Sequence, residues 1–485
     1  MSKFPKTVRL LLSLDYNECK KFKSYLQSPY FNTNEFLLQL CNHIFTEFKI
    51  NKNPYCEEDF IIKAYGKKET KEETKKDERN YQSHLLLLGK HFECFITTQK
   101  IEKNGPLYNQ ITLEDYLYRG KGVFFMSKYK QAKGKLEKSP IDTYYYQNKF
   151  QIEELLDCYK KLYKDKRRGD SNLQATCDAI DRDFILKKLC SLVLMHNRRN
   201  ITNASYDFGL KSYLLDYFKT KPAIKDPLTN LLYQAYEILT GSDKKKAFEN
   251  LNEELRQSDQ KIAKDMVIVL FTILNNNLKW LIEQKTQLYQ ELFELYDMML
   301  NQNYIQTDGK LSGNLYKNIV SIGLELEKYD YVESFIDLYK NKLLPVDYAR
   351  EMYAYNKAKL HIYKGELKNA DELIADIDFK DTLYKFDLRA VEIMLSYEMR
   401  EYRMLESRIN KIKVALSCEK NIPEPNKKVY RNFIYCVNNM YRFNCNPNKC
   451  KADAQKIITF IENTNQIANR RWVLMRADVL LKKFD

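Results

Sequence analysis

Two stretches of this chain overlay with a step of 35 residues. The first reads EMYAYNKAKLHIYKGELKNADELIADI from Glu351 and the second FDLRAVEIMLSYEMREYRMLESRINKI from Phe386. Each splits into two amphipathic segments with apolar residues recurring every three or four positions, the pattern of a helix with one buried face. Ile393, Tyr402, Leu405, Ile409 and Ile412 fall where the first copy has Ala358, Leu367, Ala370, Ile374 and Ile377. In the first copy Gly365 separates the two segments, because glycine takes a left-handed turn without a steric penalty. Ala358 and Ala370 are small residues where paired helices would cross, which lets their axes approach. A weaker copy lies upstream, with Tyr331 standing 36 residues before Leu367.

A helical hairpin repeated at this spacing resembles the tetratricopeptide repeat, whose unit is about 34 residues long. The resemblance spans about 315–416 and departs from the pattern at named places: Arg400 stands at the break, Leu405 replaces the small alanine, and no proline closes either unit. It implies an all-α fold in which antiparallel hairpins stack as a solenoid. The first helix of each unit would then line a concave face. That face would hold Met352, Tyr355, Asn356, Lys359 and Tyr363 from the first copy, and Asp387, Ala390, Val391, Met394 and Tyr397 from the second. The family's clamp for a C-terminal carboxylate needs several Asn, Lys and Arg residues. Only Asn356 and Lys359 suit it and Asp387 opposes it, so that specificity is not expected.

Composition agrees with long helices and short loops, since 485 residues include only 13 glycines and 11 prolines. That length exceeds one ordinary core. Three regions are expected: an N-terminal helical domain at 1–104, a central hairpin region at 105–300, and a repeat region with capping helices at 301–485. The Asn104-Gly105-Pro106 break marks the first boundary. Eleven cysteines, an odd number scattered mostly in apolar stripes, suit buried thiols in a reducing cytosol better than a disulfide framework. The opening apolar run is too brief for a secretory signal, and Met266–Leu274, the longest apolar run, is far below the ~20 residues that span a bilayer. A cytoplasmic protein without a membrane partner is the expectation.

Near the start, the spacing predicts helices over Asp15–Gln27 and Glu35–Phe48, separated at Ser28-Pro29 because proline forbids helical geometry before it. The segment CKKFKSYLQSPYFNTNE resembles the opening of a group of uncharacterised all-helical bacterial proteins, which supports the fold and implies no activity. Tyr30 and Phe31 are expected to plug the core between the two helices; exposed, they would form an aromatic docking site. His84, His91 and Cys94 share a helical face, but only His91 and Cys94 are close enough for one metal ion. Cys436, Cys445 and Cys450 form an incomplete tetrahedral set, so no metal is expected.

Chemistry-bearing motifs are absent. The chain has no phosphate-binding loop, dinucleotide fingerprint, paired-histidine zinc motif or nucleophile elbow. An enzyme is not expected, nor is a cofactor. Trp280 and the aromatic stripe from Tyr116 to Tyr146 are read as core. The leading expectation is a non-catalytic scaffold that binds a peptide or helix of a protein partner on a concave face. The formal charge of +15 supports an alternative, RNA or DNA binding through the cluster Lys160, Lys161, Lys164, Arg167 and Arg168 with its interleaved tyrosines. A basic helix end facing the helix dipole explains the same cluster without a ligand.

Overall fold

Apolar stripes at helical spacing run through almost every segment, and in the computed structural model nearly every described segment is a helix. The described residues are 4–50, 61, 71–163, 171–202, 204–220, 226–257, 261–276, 286–303, 306, 309–420, 422–446, 450–464 and 466–482. Lys164, Arg167, Arg168 and Trp280 lie outside them. The fold is all-α, and among the described residues the only strand pairing longer than a single bridge is a parallel pair, β1 (Leu311–Ser312) on β2 (Leu343–Leu344). None of the described helices is long and apolar enough to cross a membrane.

The chain divides into two compact units. The first comprises 1–136 and 151–172, and the second 137–150 and 173–485. The expected boundary after Asn104 therefore falls inside the first unit, where Asn104 caps the helix that follows it.

The first unit contains α1 (Lys6–Leu12), α2 (Tyr16–Gln27), α3 (Glu35–Ile44), α4 (Lys71–Lys103), α5 (Gly105–Tyr118), α6 (Gly122–Glu137) and the greater part of α7 (Tyr145–Tyr163). Asp15 caps α2 through a reciprocal pair: its carboxylate accepts from the Glu18 N–H at 2.8 Å, and Glu18 accepts from the Asp15 N–H at 2.9 Å. Asn34 starts α3 with a single bond, its side-chain oxygen accepting from the Phe36 N–H at 3.0 Å, and α3 runs on as a wider π turn over Phe45–Ile50. Two apolar clusters result. One joins Phe22, Leu37, Tyr81 and Leu88, and the other Leu113, Phe125, Tyr129 and Ile152. A buried carboxylate, Glu153, is satisfied by the Tyr129 hydroxyl at 3.0 Å, Lys133 Nζ at 3.1 Å and Asn172 Nδ2 at 2.8 Å. Tyr30 and Phe31 do not plug the core as expected. Tyr30 is 87% and Phe31 40% exposed, because Phe22, Phe92 and Phe95 already fill the space between the helices.

The second unit contains α8 (Leu173–Ile201), α9 (Lys211–Thr220), α10 (Pro227–Thr240), α11 (Lys244–Gln257), α12 (Lys264–Asn276), α13 (Thr286–Asn301), α14 (Gly313–Glu325) and α15 (Tyr329–Tyr339). It continues with α16 (Ala349–Lys364), α17 (Leu367–Ile374), α18 (Thr382–Glu398), α19 (Tyr402–Cys418), α20 (Glu424–Cys445), α21 (Lys451–Asn463) and α22 (Arg470–Leu481). Consecutive helices pair as hairpins at α14 with α15, α16 with α17, α18 with α19, and α20 with α21. The helices α10, α12, α14, α16, α18, α20 and α22 also form a row in which each touches the next. One continuous apolar core runs through this row, from Tyr146 to Leu480.

The backbone carries a repeat that side chains only partly declare. Glu327, Gly365 and Arg400 each stand two residues before the second helix of a hairpin, with φ of +58°, +80° and +60°. After each, the next N–H reaches back five residues: Lys328 to the Gly323 carbonyl at 2.9 Å, Glu366 to His361 at 2.8 Å, and Glu401 to Ser396 at 3.0 Å. These bonds make three copies of one left-handed helix stop, which satisfies the carbonyls that a helix end leaves open. The crossing positions repeat too: Val320, Ala358 and Ile393 are fully buried on the first helices, and Val332, Ala370 and Leu405 on the second. In the upstream hairpin the closest approach is made by Gly323, where a Cβ would collide with Val332.

Two outcomes follow from this geometry. A Cβ at Gly365 would meet open space, so Gly365→Ala acts through the backbone alone and lowers stability by about 1 kcal/mol. Arg400→Gly relieves the same strain and raises stability by about 0.5 to 1 kcal/mol. Urea unfolding of both variants measures this, and equal midpoints would show that the stop carries no strain. His196, buried on α8 against Phe208 with ring centroids 4.2 Å apart, provides the second. Burial first, then Arg199 and Lys211, hold its pKa at about 4, below the ordinary 6.5. Between these values the unfolded chain binds a proton that the folded chain refuses. His196 therefore removes stability as pH falls from about 6.5 toward 4. His196→Phe should flatten that part of the thermal midpoint profile, and an unchanged slope would exclude the mechanism.

Candidate functional site

The second unit encloses a cleft of about 1280 Å³, lined by helices of this row together with the end of α8. Its floor begins with α14, where Asn314, Asn318, Ser321 and Glu325 recur at four-, three- and four-residue intervals and so share one face. The opposite face of α14 is apolar, with Tyr316, Ile319, Val320 and Gly323 buried. A polar stripe on a helix that is otherwise packed gives the cleft hydrogen-bonding groups without disturbing the core.

The neighbouring helices complete a charged and aromatic lining. Lys317 Nζ pairs with Asp387 at 2.7 Å and lies 4.7 Å from the centre of the Tyr384 ring. The Tyr430 hydroxyl donates to the other Asp387 oxygen at 2.8 Å, and the Tyr384 hydroxyl donates to Asn314. Burial first, then the Asp387 charge, pushes both tyrosine hydroxyls above their ordinary range, so both stay protonated donors.

Lys359 sits on the floor at 6% exposure, and its Nζ donates to Ser321 Oγ at 3.3 Å. Among the described residues it has no ion-pair partner within 4 Å. Burial holds its pKa below the usual lysine range, against an opposing pull from Glu325 and Asp387. Glu325 shows the mirror effect. Burial raises its pKa, while Lys359 and a backbone N–H of Arg471 at the start of α22 draw it back.

At the mouth, Asn426 Nδ2 donates to the Asn200 and Ile201 carbonyls at 3.3 and 3.5 Å, so the first residues of α20 meet the end of α8. The Asn426 Oδ1 is buried without a partner, as are the Nε atoms of Arg470 and Arg471. The Asn318 amide makes no hydrogen bond among the described residues.

Of the concave-face residues expected from the sequence, Tyr355, Lys359 and Asp387 line the cleft. The others are packed elsewhere. Met352 is buried beside Gly313, and Asn356 is fully buried with its Nδ2 on the Met352 carbonyl at 2.8 Å. Tyr363 is buried near Tyr329, with ring centroids 6.3 Å apart. Ala390, Val391 and Met394 lie in the core, and Tyr397 stands edge-on to Trp472 and accepts from Asn444 at 2.9 Å. Asn314, Asn318, Glu325, Asn426 and the α22 arginines were not anticipated, because they come from helices outside the two clear copies. The signal available was the polar stripe of α14 inside the weak upstream copy.

Of the basic cluster in the first unit, Lys161 pairs with Asp157 at 2.6 Å and Lys160 donates to Asn172 at 3.3 Å. Among the described residues, no group of three or more His, Cys, Asp or Glu is placed to hold a metal ion. No family model matches the chain, and no curated protein or solved structure matches it either.

Lys359 gives a test of what the cleft lining does for the fold. A buried ammonium with one long hydrogen bond is a burden on stability that an apolar side chain of similar length removes. Lys359→Met should leave the urea midpoint unchanged or raise stability by about 1 kcal/mol. A loss greater than that would make Lys359 a structural partner of Glu325 instead of a group held ready for a ligand.

Proposed function

We propose that the second unit is a tetratricopeptide-like solenoid that acts as a protein-interaction scaffold, holding an extended peptide of a partner protein in its cleft. One observation carries this reading: the polar stripe of α14, with the unused amide of Asn318, faces a cleft lined by successive inner helices. A primary amide offers a donor and an acceptor side by side, which match the N–H and C=O of a peptide backbone. Tyr355, Tyr384 and Tyr430 supply flat apolar surface at low conformational entropy, as anchors at protein interfaces do.

Size supports the same reading. Small-molecule pockets run to roughly 300–1,000 Å³, and this cleft, at about 1280 Å³, exceeds them. Its charges are mixed, with Arg198, Lys317, Lys359, Arg470 and Arg471 facing Glu325, Asp381, Asp387 and Glu462. A surface of both signs suits a peptide with varied side chains better than a polyanion.

Selection of random linear peptides on the immobilised full-length chain tests the proposal. Enriched peptides should bind at least about tenfold more weakly to Asn318→Leu and to Tyr384→Ala, with helical content unchanged by circular dichroism. Absence of enrichment, or peptides indifferent to both substitutions, would refute it.

A further inference from the structure

A second groove lies in the first unit, and the cleft reading makes no use of it. It is walled by α2 and its C-terminal turn from Asn17 to Ser28 and by α4 from Phe95 to Glu102, and it encloses about 710 Å³. Both walls contribute residues at three- and four-residue spacing, the α2 wall over about 16 Å, or three helical turns, and the α4 wall over about 10 Å, or two. A trough between two helices at this spacing accepts a third helix.

The chemistry of the trough specifies what that helix carries. Tyr25 and Phe31 stack with centroids 4.4 Å apart, and Phe95 meets Tyr25 edge-on at 5.6 Å. Ser24 Oγ and Thr98 Oγ1 donate to the carbonyls of Lys20 and Cys94 in their own helices, at 3.2 and 3.0 Å. Those hydroxyls are satisfied within their own helices, and the rings of Tyr25 and Phe31 supply the apolar contact the trough offers. The aromatic ledge is held out from the body by its turn: Asn32 Nδ2 donates to the Leu26 and Asn34 carbonyls at 2.9 Å each, and the Phe31 N–H to Ser28 at 3.1 Å. Along the rim, Lys20 and Lys21 are exposed, and among the described residues neither has an ion-pair partner.

We propose that this groove docks an acidic amphipathic helix of a partner protein, its apolar face on Tyr25 and Phe31 and its carboxylates on Lys20 and Lys21. The rings do not suit stacked bases, since one face of Phe31 is taken by Tyr25 and Tyr30 packs against it edge-on at 4.9 Å.

The test is a selection of helix-forming peptides of ~18 residues, about five turns, on the immobilised full-length chain. A labelled single-stranded RNA oligonucleotide is titrated in parallel. Enriched peptides should carry apolar residues at helical spacing with Asp or Glu beside them. They should bind at least about tenfold more weakly to Lys20→Glu/Lys21→Glu and to Phe31→Ser, and equally well to Asn318→Leu. The substituted residues are exposed, and circular dichroism confirms that the variants fold. Peptides indifferent to Lys20→Glu/Lys21→Glu overturn the proposal. Peptides sensitive to Asn318→Leu alone overturn it while supporting the cleft. Oligonucleotide binding that disappears in the double lysine variant overturns it by assigning the lysines to a nucleic acid.

Discussion

Paired helices in the second unit meet where both can come close, and the arrangement of the inner row depends on that crossing. Ala358 on α16 faces the pair with Ala370 on α17, and both are completely buried. In the upstream hairpin the same closeness is obtained differently, through Gly323 against Val332. In the downstream hairpin Ile393 and Leu405 are buried at the same positions, so larger side chains occupy the crossing. Close packing rewards any combination that fills the space without collision. The hairpins therefore share an architecture without sharing residues.

The turns follow the same logic. A left-handed stop ends the first helix of three hairpins, yet only one uses the residue that takes the conformation freely. Glu327 and Arg400 adopt positive φ because tertiary packing on both sides of the turn outweighs a local penalty of about 1–2 kcal/mol. A residue-by-residue match undervalues such a repeat, while hydrogen bonding exposes it.

Polar groups are divided between those the fold consumes and those it leaves facing space. Glu153 in the first unit has a donor for each of its demands, from Tyr129, Lys133 and Asn172. Asp387 in the cleft is likewise matched by Lys317 and Tyr430. Lys359 and the buried Oδ1 of Asn426 are under-supplied in the same region. Burying polar groups without full partners opposes folding, and those that line the cleft are placed to be satisfied by a ligand.

The sequence alone determined the all-helical fold, since scarce glycine and proline and three-to-four periodicity leave no other way to bury the apolar residues. It also marked several helix limits, such as the start of α2 near Asp15, the start of α3 at Glu35 and Gly365 after α16, because helix ends are set by local interactions. It placed Tyr355, Lys359 and Asp387 on the inner face. Tertiary structure alone decided the rest of the cleft. Asn318, Asn426 and Arg470 come from helices far apart in the chain, and only the packing of successive helices against one another brings them to one surface. It also decided that Asn356, Met394 and Tyr397 serve packing, because helical periodicity names a face but not what covers it. Tyr30 and Phe31 make the same point in reverse: an aromatic pair after a proline is legible at once, but whether a core has room for it depends on phenylalanines sixty residues away.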